Sequence, residues 1–237
     1  MKIQNILEAK NLNVSFGKEK IIENLSFDLK VGENLVILGP NGAGKTVLLK
    51  TLLGIYPYNG EIKWKENVKI GYVPQKFLLE KTVPSTVEEF FKFRPRQSGG
   101  KISGEEIVKA INSVGIKDNS ILRKKIGEIS SGQLQRVLIA WALIDNPEVL
   151  IFDEPTAGID IEGEETIYNL LSEIEKEKNL TIIMVTHDLS VVHKIADSVL
   201  CLNRRFFCYG VPQKVLNSEN FRKLNGEEIK IYKHEHH

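Results

Sequence analysis

Residues 35–46 read LVILGPNGAGKT, a short apolar run followed by a glycine-rich octapeptide. The octapeptide fits the pattern GxxxxGK[ST]. Glycines let backbone N–H groups converge on phosphate oxygens, and a helix that starts there adds the positive end of its dipole. We expect Lys45 to reach the β- and γ-phosphates of a nucleotide and Thr46 to offer its hydroxyl to Mg²⁺. The residues expected to contact the nucleotide are Gly39, Pro40, Asn41, Gly42, Ala43, Gly44, Lys45 and Thr46.

The residues on both sides of the octapeptide agree with this interpretation. Leu35–Leu38 is a continuous apolar run, as expected for a strand buried on both faces. After the octapeptide, the apolar side of a predicted helix carries Val47, Leu48, Leu49, Leu52 and Leu53. The pattern alone arises by chance in roughly one chain of this length in a hundred. The octapeptide lies between a predicted strand and a predicted helix. This position disfavours the alternative interpretation that it is a glycine-rich turn with an incidental lysine.

A second motif, at residues 149–154, reads VLIFDE. Four apolar residues followed by two acids describe a buried strand that carries carboxylates to the C-terminal edge of a sheet, where open α/β sheets bind ligands. We expect Asp153 to help hold Mg²⁺ and Glu154 to polarise an attacking water. Two acids after a strand are, on their own, more often a solvated turn. Together with residues 39–46 they predict a P-loop nucleotide hydrolase.

The rest of the sequence predicts the α/β class. Alternating apolar and polar residues in 12–28 indicate antiparallel strands. Apolar runs at 149–152, 181–185 and 199–202 alternate with amphipathic helices, which indicates a mostly parallel sheet with helices on both faces. We expect one domain, residues 1–237, made of a P-loop NTPase core, an antiparallel β subdomain, a helical insertion at about 76–126 and a C-terminal extension at about 216–237.

Composition limits the class of protein further. Of the 237 residues, 42% are hydrophobic and 27% charged, and the net charge is +1. Nucleic-acid-binding domains usually carry a basic excess, so no nucleic-acid partner is expected. Without an apolar run of about eighteen residues or an apolar signal core, the sequence predicts a cytosolic protein. Cys201 and Cys208 lack CxxC spacing and are interpreted as incidental thiols of a reducing compartment.

Several further motifs resemble those of the ABC ATPase family. Residues 129–136, ISSGQLQR, resemble the LSGGQ signature, and Gln75 in GYVPQ resembles the Q-loop glutamine. The segment AGID at 157–160 resembles the D-loop, and His187 the switch histidine. Phe16 lies where the family places an aromatic ring against adenine. The motifs occur in the family's order along nearly the whole chain, which makes the set far more specific than any one of them.

The resemblance implies that two copies pack head to tail, with each ATP between residues 39–46 of one copy and the signature segment of the other. That segment consists of Ser130, Ser131, Gly132 and Gln133. Gln75 would contact Mg²⁺ and the attacking water, and His187 would contact the γ-phosphate and hold the water for Glu154. The expected cofactors are therefore ATP and Mg²⁺. The expected catalytic residues are Lys45, Gln75, Glu154 and His187. The expected Mg²⁺ ligands are Thr46, Gln75 and Asp153.

The sequence departs from the family pattern at two positions. Ser131 stands where the signature usually has its first glycine, so its side chain can crowd the nucleotide. Val47 stands where a hydroxyl is common, but Thr46 already supplies the hydroxyl for Mg²⁺.

Other P-loop classes fit less well. No NKxD guanine-reading motif, coiled-coil insertion or second cassette is visible, which disfavours GTPases, SMC-like ATPases and translation-factor ABC proteins. A transporter motor with separate membrane subunits remains the leading interpretation. The alternatives are a soluble ABC ATPase that acts as an assembly motor, as in iron–sulfur cluster assembly, and a nucleotide-binding module without hydrolysis.

Three segments resemble the ATPases of zinc and manganese importers: EPTAGID at 154–160, VPSTVEEF at 83–90, and CLNR at 201–204 with the GVP and VL that follow it. The resemblance implies metal-ion import, a membrane permease, a separate solute-binding protein and a peripheral position on the cytoplasmic face of the membrane. The tail ends in histidines, with His234, His236 and His237 as candidate Zn²⁺ ligands. A zinc-sensing or zinc-buffering role and an artificial tag both remain open for this tail.

Overall fold

The computed structural model describes residues 4–75, 85–96, 99–156, 159–186, 189–203, 206–217 and 219–220. The strands are β1 (Asn5–Phe16), β2 (Glu19–Lys30), β3 (Leu35–Leu38), β4 (Asn59–Trp64), β5 (Ile70–Val73), β6 (Val149–Asp153), β7 (Thr181–Val185), β8 (Ser198–Asn203) and β9 (Phe206–Gly210). The helices are α1 (Lys45–Leu52), α2 (Val87–Lys92), α3 (Gly104–Ser113), α4 (Ser131–Leu143), α5 (Ile161–Lys178), α6 (Leu189–Ile195) and α7 (Pro212–Val215), with 3₁₀ turns at Asn119–Arg123 and Ile126–Glu128.

The main sheet has the strand order β5-β6-β7-β3-β8-β9. Neighbouring strands are parallel except for β8 and β9, which are antiparallel. Every residue of β3, β6 and β7 is buried, because both faces of these central strands are covered. The predicted α/β class is confirmed. Since β3 and β6 run in the same direction, the loops that follow them meet at the same edge of the sheet.

A separate antiparallel sheet has the order β2-β1-β4. Alternate residues of β2 are buried, among them Leu25, Phe27 and Leu29, which confirms the antiparallel strands expected from the alternating pattern. The two short strands that follow α1 divide between the two sheets: β4 joins the antiparallel sheet and β5 the edge of the main sheet.

The two faces of the main sheet belong to different hydrophobic cores. On one face, Val149 and Ile151 pack with α1 and the antiparallel sheet. On the other face, Leu150 and Phe152 pack with α2, α3, α4 and α5, and we call this cluster the helical-side core. The helix α4 contacts both α3 and β5. The helices between β5 and β6 therefore share one continuous core with the sheet.

Capping boxes define where the helices of this region begin. The Thr86 hydroxyl caps α2 with Glu89 as its reciprocal partner, and Ser103 caps α3 with Glu106 in the same way. Each box satisfies two backbone N–H groups that a helix N-terminus otherwise leaves without partners.

The strand β9 was not among the expected elements, and it changes the interpretation of the cysteines. Cys201 on β8 lies directly opposite Cys208 on β9, with 4.9 Å between the Cα atoms, and the two form a disulfide. The prediction of two incidental thiols is therefore wrong for this structure. The reason is geometric, because the antiparallel β8–β9 pairing brings together residues that their sequence spacing does not identify as partners.

Among the helices that the structure describes, none is both long enough and apolar enough to span a bilayer.

Candidate nucleotide-binding site

The loop between β3 and α1 depends on glycine at two positions. A Cβ on Gly39 would lie 2.1 Å from the carbonyl oxygen of Leu202 in β8, so only glycine permits this approach of two backbones. Gly44 precedes α1 with φ +100°, and a Cβ there would lie 2.9 Å from the Ile21 side chain. The loop thus packs closely against β8 and Ile21. This packing places the N-terminus of α1 at the C-terminal edge of the main sheet.

Lys45, the first residue of α1, is buried with 6% of its surface exposed. Its Nζ donates hydrogen bonds to the carbonyl oxygens of Gly39 (2.8 Å) and Pro40 (3.0 Å) and lies 3.9 Å from Glu154 Oε1. Burial lowers the pKa of this ammonium, and the carboxylates of Glu154 and Asp153 oppose that effect. The lysine is thus a positive charge held inside the loop by backbone oxygens.

Thr46 and Asp153 form the second part of the site. The Thr46 hydroxyl donates to Asp153 Oδ1 at 3.1 Å and joins α1 to the tip of β6. Asp153 is only 2% exposed, and burial raises the pKa of its carboxyl. The Thr46 hydrogen bond and the cations Lys50 and Lys45 act in the opposite direction. A hydroxyl and a buried carboxylate side by side are oxygen donors of the kind that Mg²⁺ prefers.

Glu154 stands immediately beyond β6 in an unusual backbone conformation. Its φ is +51°, in the left-handed region that non-glycine residues occupy at an energetic cost. Its N–H donates to the carbonyl of Val185 at the end of β7, which holds the turn in place. Its Oε2 accepts a hydrogen bond of 2.6 Å from Gln75 Nε2, beyond the end of β5. Strained residues of this kind cluster at functional sites.

The five side chains from three loops therefore meet at one edge of the sheet. Lys45 and Thr46 come from the loop after β3, Asp153 and Glu154 from the end of β6, and Gln75 from the loop after β5. The loop residues Asn41 and Gly42 are exposed beside them, whereas Ala43 is buried.

Phe16 lies at the end of β1 with 42% of its surface exposed. Its ring meets that of Tyr56 edge to face, with 5.1 Å between centroids. Sequence reasoning identified Phe16 but missed both Tyr56 and Lys50, whose ammonium lies 5.6 Å from the centroid of the Tyr56 ring. The only sequence signal for Tyr56 was an aromatic residue in the turn after the first helix.

The signature segment is the N-terminus of α4. Ser130 is the N-cap, and its hydroxyl accepts from the Gln133 N–H while the Gln133 side chain accepts from the Ser130 N–H. Ser131 is exposed, and a Cβ on Gly132 would find no atom of the described residues within 4 Å. No hydrogen bond joins this segment to residues 39–46 in the part of the chain that the structure describes.

Other predicted residues lie outside the described ranges: His187, residues 157–158 of the D-loop segment, and the tail with His234, His236 and His237. Within the described ranges, no three His, Cys, Asp or Glu side chains cluster as a metal site.

Known proteins resemble this chain in sequence and in fold. The family model described as ABC transporter matches residues 22–157. The Zinc import ATP-binding protein ZnuC of Photorhabdus laumondii subsp. laumondii is 38% identical over 99% of this chain and 90% of its own length. That of Hydrogenovibrio crunogenus is 38% identical over 100% of this chain and 95% of its own length.

Among solved structures, a metal-chelate type ABC transporter in an inward-facing conformation superposes with a TM-score of 0.84. It shares 28% identity with this chain, and the match covers 94% of this chain and 90% of the other. Since the family model matches more than half of the residues and the relatives align along almost the whole length, the chain belongs to the ABC transporter family.

Proposed function

We propose that the chain is the ATP-hydrolysing subunit of a metal-ion importer, and that two copies together drive a separate membrane permease. The observation that carries the proposal is the meeting of Lys45, Thr46, Gln75, Asp153 and Glu154 at one sheet edge. A buried lysine, a hydroxyl–carboxylate pair and a carboxylate held by an amide are the parts needed to bind a Mg²⁺-nucleotide and orient water.

Thr46 and Asp153 would hold Mg²⁺, with the Gln75 amide oxygen as a further candidate ligand. The fit rests on the buried Asp153 carboxylate, whose raised pKa reflects a charge that a cation would stabilise. Bound Mg²⁺ neutralises the charge that develops on the phosphate oxygens.

Each residue of this chain then has a separate task. Lys45 and the N–H groups at the start of α1 bind the β- and γ-phosphates. Glu154 orients the attacking water and accepts its proton. Gln75, through its hydrogen bond to Glu154, keeps that carboxylate turned toward the phosphate. His187 contacts the γ-phosphate, and Phe16 stacks on adenine.

The second half of each site comes from another copy. A helix leaves its first N–H groups without helical partners. In α4 the cap uses the N–H of Gln133, so the N–H groups of Ser131 and Gly132 are left for a γ-phosphate. ATP would therefore join the copies head to tail, and hydrolysis would let them separate.

The relatives named as zinc import subunits support zinc, or a similar metal ion, as the transported solute, and favour the importer over the assembly motor. The chain would work on the cytoplasmic face of the membrane, with a permease and a separate solute-binding protein. The histidines of the tail would bind Zn²⁺ and adjust transport to its supply. Deletion of residues 232–237 should then change the zinc response of transport, and an unchanged response would remove this role.

The test of the central proposal is Glu154→Gln, followed by size-exclusion chromatography with and without Mg²⁺-ATP. We expect the variant to bind ATP, to lose hydrolysis and to change from monomer to stable dimer. Glu148→Gln is the matched control, because Glu148 precedes the same strand at its opposite end and should leave hydrolysis intact. Failure of the parent chain to bind ATP would refute the proposal. If ATP binds without dimerisation, Ser131→Gly tests whether the Ser131 side chain prevents closure.

A further inference from the structure

The aromatic contact between Phe16 and Tyr56 links two elements that are distant in sequence. Phe16 ends β1 in the antiparallel sheet, whereas Tyr56 lies in the turn between α1 and β4. The rings meet at an interplanar angle of 84°, an edge-to-face arrangement that aromatic pairs favour. Tyr56 is half-buried and Phe16 keeps 42% of its surface exposed, so this contact leaves much of the Phe16 ring accessible.

The Tyr56 ring also contacts the helix that follows the phosphate loop. Lys50 lies on α1 with its ammonium 5.6 Å from the Tyr56 centroid, within the range of a cation–π interaction. Since α1 begins at Lys45, Tyr56 connects the ring at the end of β1 to the same helix whose N-terminus faces the phosphates. Tyr56 thus contacts both the exposed aromatic ring and the helix that follows the phosphate loop.

We infer that Tyr56 is a positioning residue for base recognition: it holds the Phe16 ring in the orientation and at the distance from the phosphate loop that an adenine base requires. The inference rests on the proposed function, since it takes Phe16 as the base contact. Loss of the Tyr56 ring leaves Lys45, Thr46 and Asp153 in place, so phosphate binding persists. Without Tyr56, the Phe16 ring must be ordered when ATP binds. The entropic cost of that ordering lowers the affinity for ATP.

The test compares Tyr56→Leu and Tyr56→Phe in the full chain by calorimetric titration with Mg²⁺-ATP and with Mg²⁺-tripolyphosphate, which has no base. We expect Tyr56→Leu to weaken ATP binding roughly three- to tenfold, the scale of one aromatic pair, and to leave tripolyphosphate binding unchanged. In hydrolysis, KM for ATP should rise while kcat stays, because the lost interaction is the same in ground and transition states. Tyr56→Phe should retain parent affinity, since the ring remains.

Tyr58→Leu is the matched control, because Tyr58 is a partly exposed tyrosine of the same turn. A double-mutant cycle with Phe16→Ala should show that Tyr56→Leu has little further effect once the Phe16 ring is gone. Equal losses for ATP and tripolyphosphate, or parent-like ATP binding by Tyr56→Leu, would overturn the inference while leaving the proposed function intact. ATP binding unchanged by Phe16→Ala would overturn both the base contact and the inference. Failure of the parent chain to bind ATP would refute the proposed function itself.

Discussion

Gly39 and Gly132 occur at the two halves of the proposed site for different physical reasons. At Gly39 the chain itself leaves no space, because the Leu202 carbonyl lies where a Cβ would stand. At Gly132 no atom of the residues that the structure describes lies within 4 Å of the place where a Cβ would stand. We therefore expect any restriction on side-chain size at Gly132 to come from a second molecule.

We predict that Gly39→Ala destabilises the fold and removes nucleotide binding. The added methyl group forces β3 and β8 apart, and overpacking of this kind costs about 1–3 kcal/mol. Thermal melting and ATP titration of the purified variant measure both effects. A variant with the parent's melting temperature and ATP affinity would contradict the close backbone approach.

We predict that Gly132→Ala leaves the stability of the fold intact and weakens the assembly of two copies. Alanine is up to about 1 kcal/mol better than glycine within a helix, so the melting temperature should stay the same or rise. ATP-dependent dimerisation in the Glu154→Gln background should weaken, because in the proposed dimer the added methyl group would face the second copy. Unimpaired dimerisation of the variant would show that Gly132 does not lie in the interface.

At this scale the motifs allowed specific predictions about single residues. Lys45, Thr46, Asp153, Glu154 and Gln75 were named from sequence, and the structure brings them together. The Tyr56 contact was not foreseen, since it depends on how a turn after α1 packs against the end of a distant strand.

At the scale of elements, α3 shows how one capping box couples helix stability to pH. Glu106 accepts hydrogen bonds from the backbone N–H of Ser103 and from Arg96, and these lower its pKa from 4.5 to about 2. The folded state therefore binds a proton less readily than the unfolded state. The stabilisation is fully present above about pH 4.5 and is lost as the pH falls through about 2.

Glu106→Gln should accordingly reduce the dependence of the urea midpoint on pH between about 4.5 and 2. Glutamine retains a capping oxygen but does not titrate. Glu105→Gln, one residue earlier and outside the box, should keep the parent's pH dependence. Equal slopes for the parent and Glu106→Gln would exclude Glu106 as the titrating group.

Helices and strands were predictable where their burial imposes a regular pattern of apolar residues on the sequence. The strands β3, β6 and β7 consist almost entirely of apolar residues because they are buried on both faces. The separation of β4 and β5 into different sheets and the addition of β9 were not predictable, because edge pairing depends on partners that the local sequence does not identify.

At the scale of the whole molecule, the two tryptophans report on different cores. Trp64 packs against the core formed with α1 and the antiparallel sheet, and Trp141 packs against the helical-side core. If the helices between β5 and β6, which include the predicted insertion at about 76–126, do not form an independent unit, both regions should unfold together. Urea unfolding of Trp64→Phe and Trp141→Phe, each with one remaining tryptophan whose emission is followed, tests this.

Phe91→Ala destabilises the helical-side core directly, since Phe91 is fully buried in it. We expect a loss of about 3–5 kcal/mol, with both single-tryptophan backgrounds shifted to the same lower midpoint. Phe93→Ala, at a position 79% exposed, should change the midpoint little. A shift confined to the Trp141 signal would indicate that the helical region folds separately.

The continuous helical-side core also limits how such a subunit can be recombined with its relatives. The helix α4 contacts both α3 and β5, so a segment exchanged at residues 85–126 alone would place foreign side chains against an unchanged α4. Chimeras that carry α4 together with α2 and α3 keep the packing among these helices, and the contacts with the sheet, α5 and α6 are then the ones to be matched. Evolutionary exchange among members of the family should therefore have its viable crossover points before α2 and after α4, and the signature segment should be inherited with the helices that precede it.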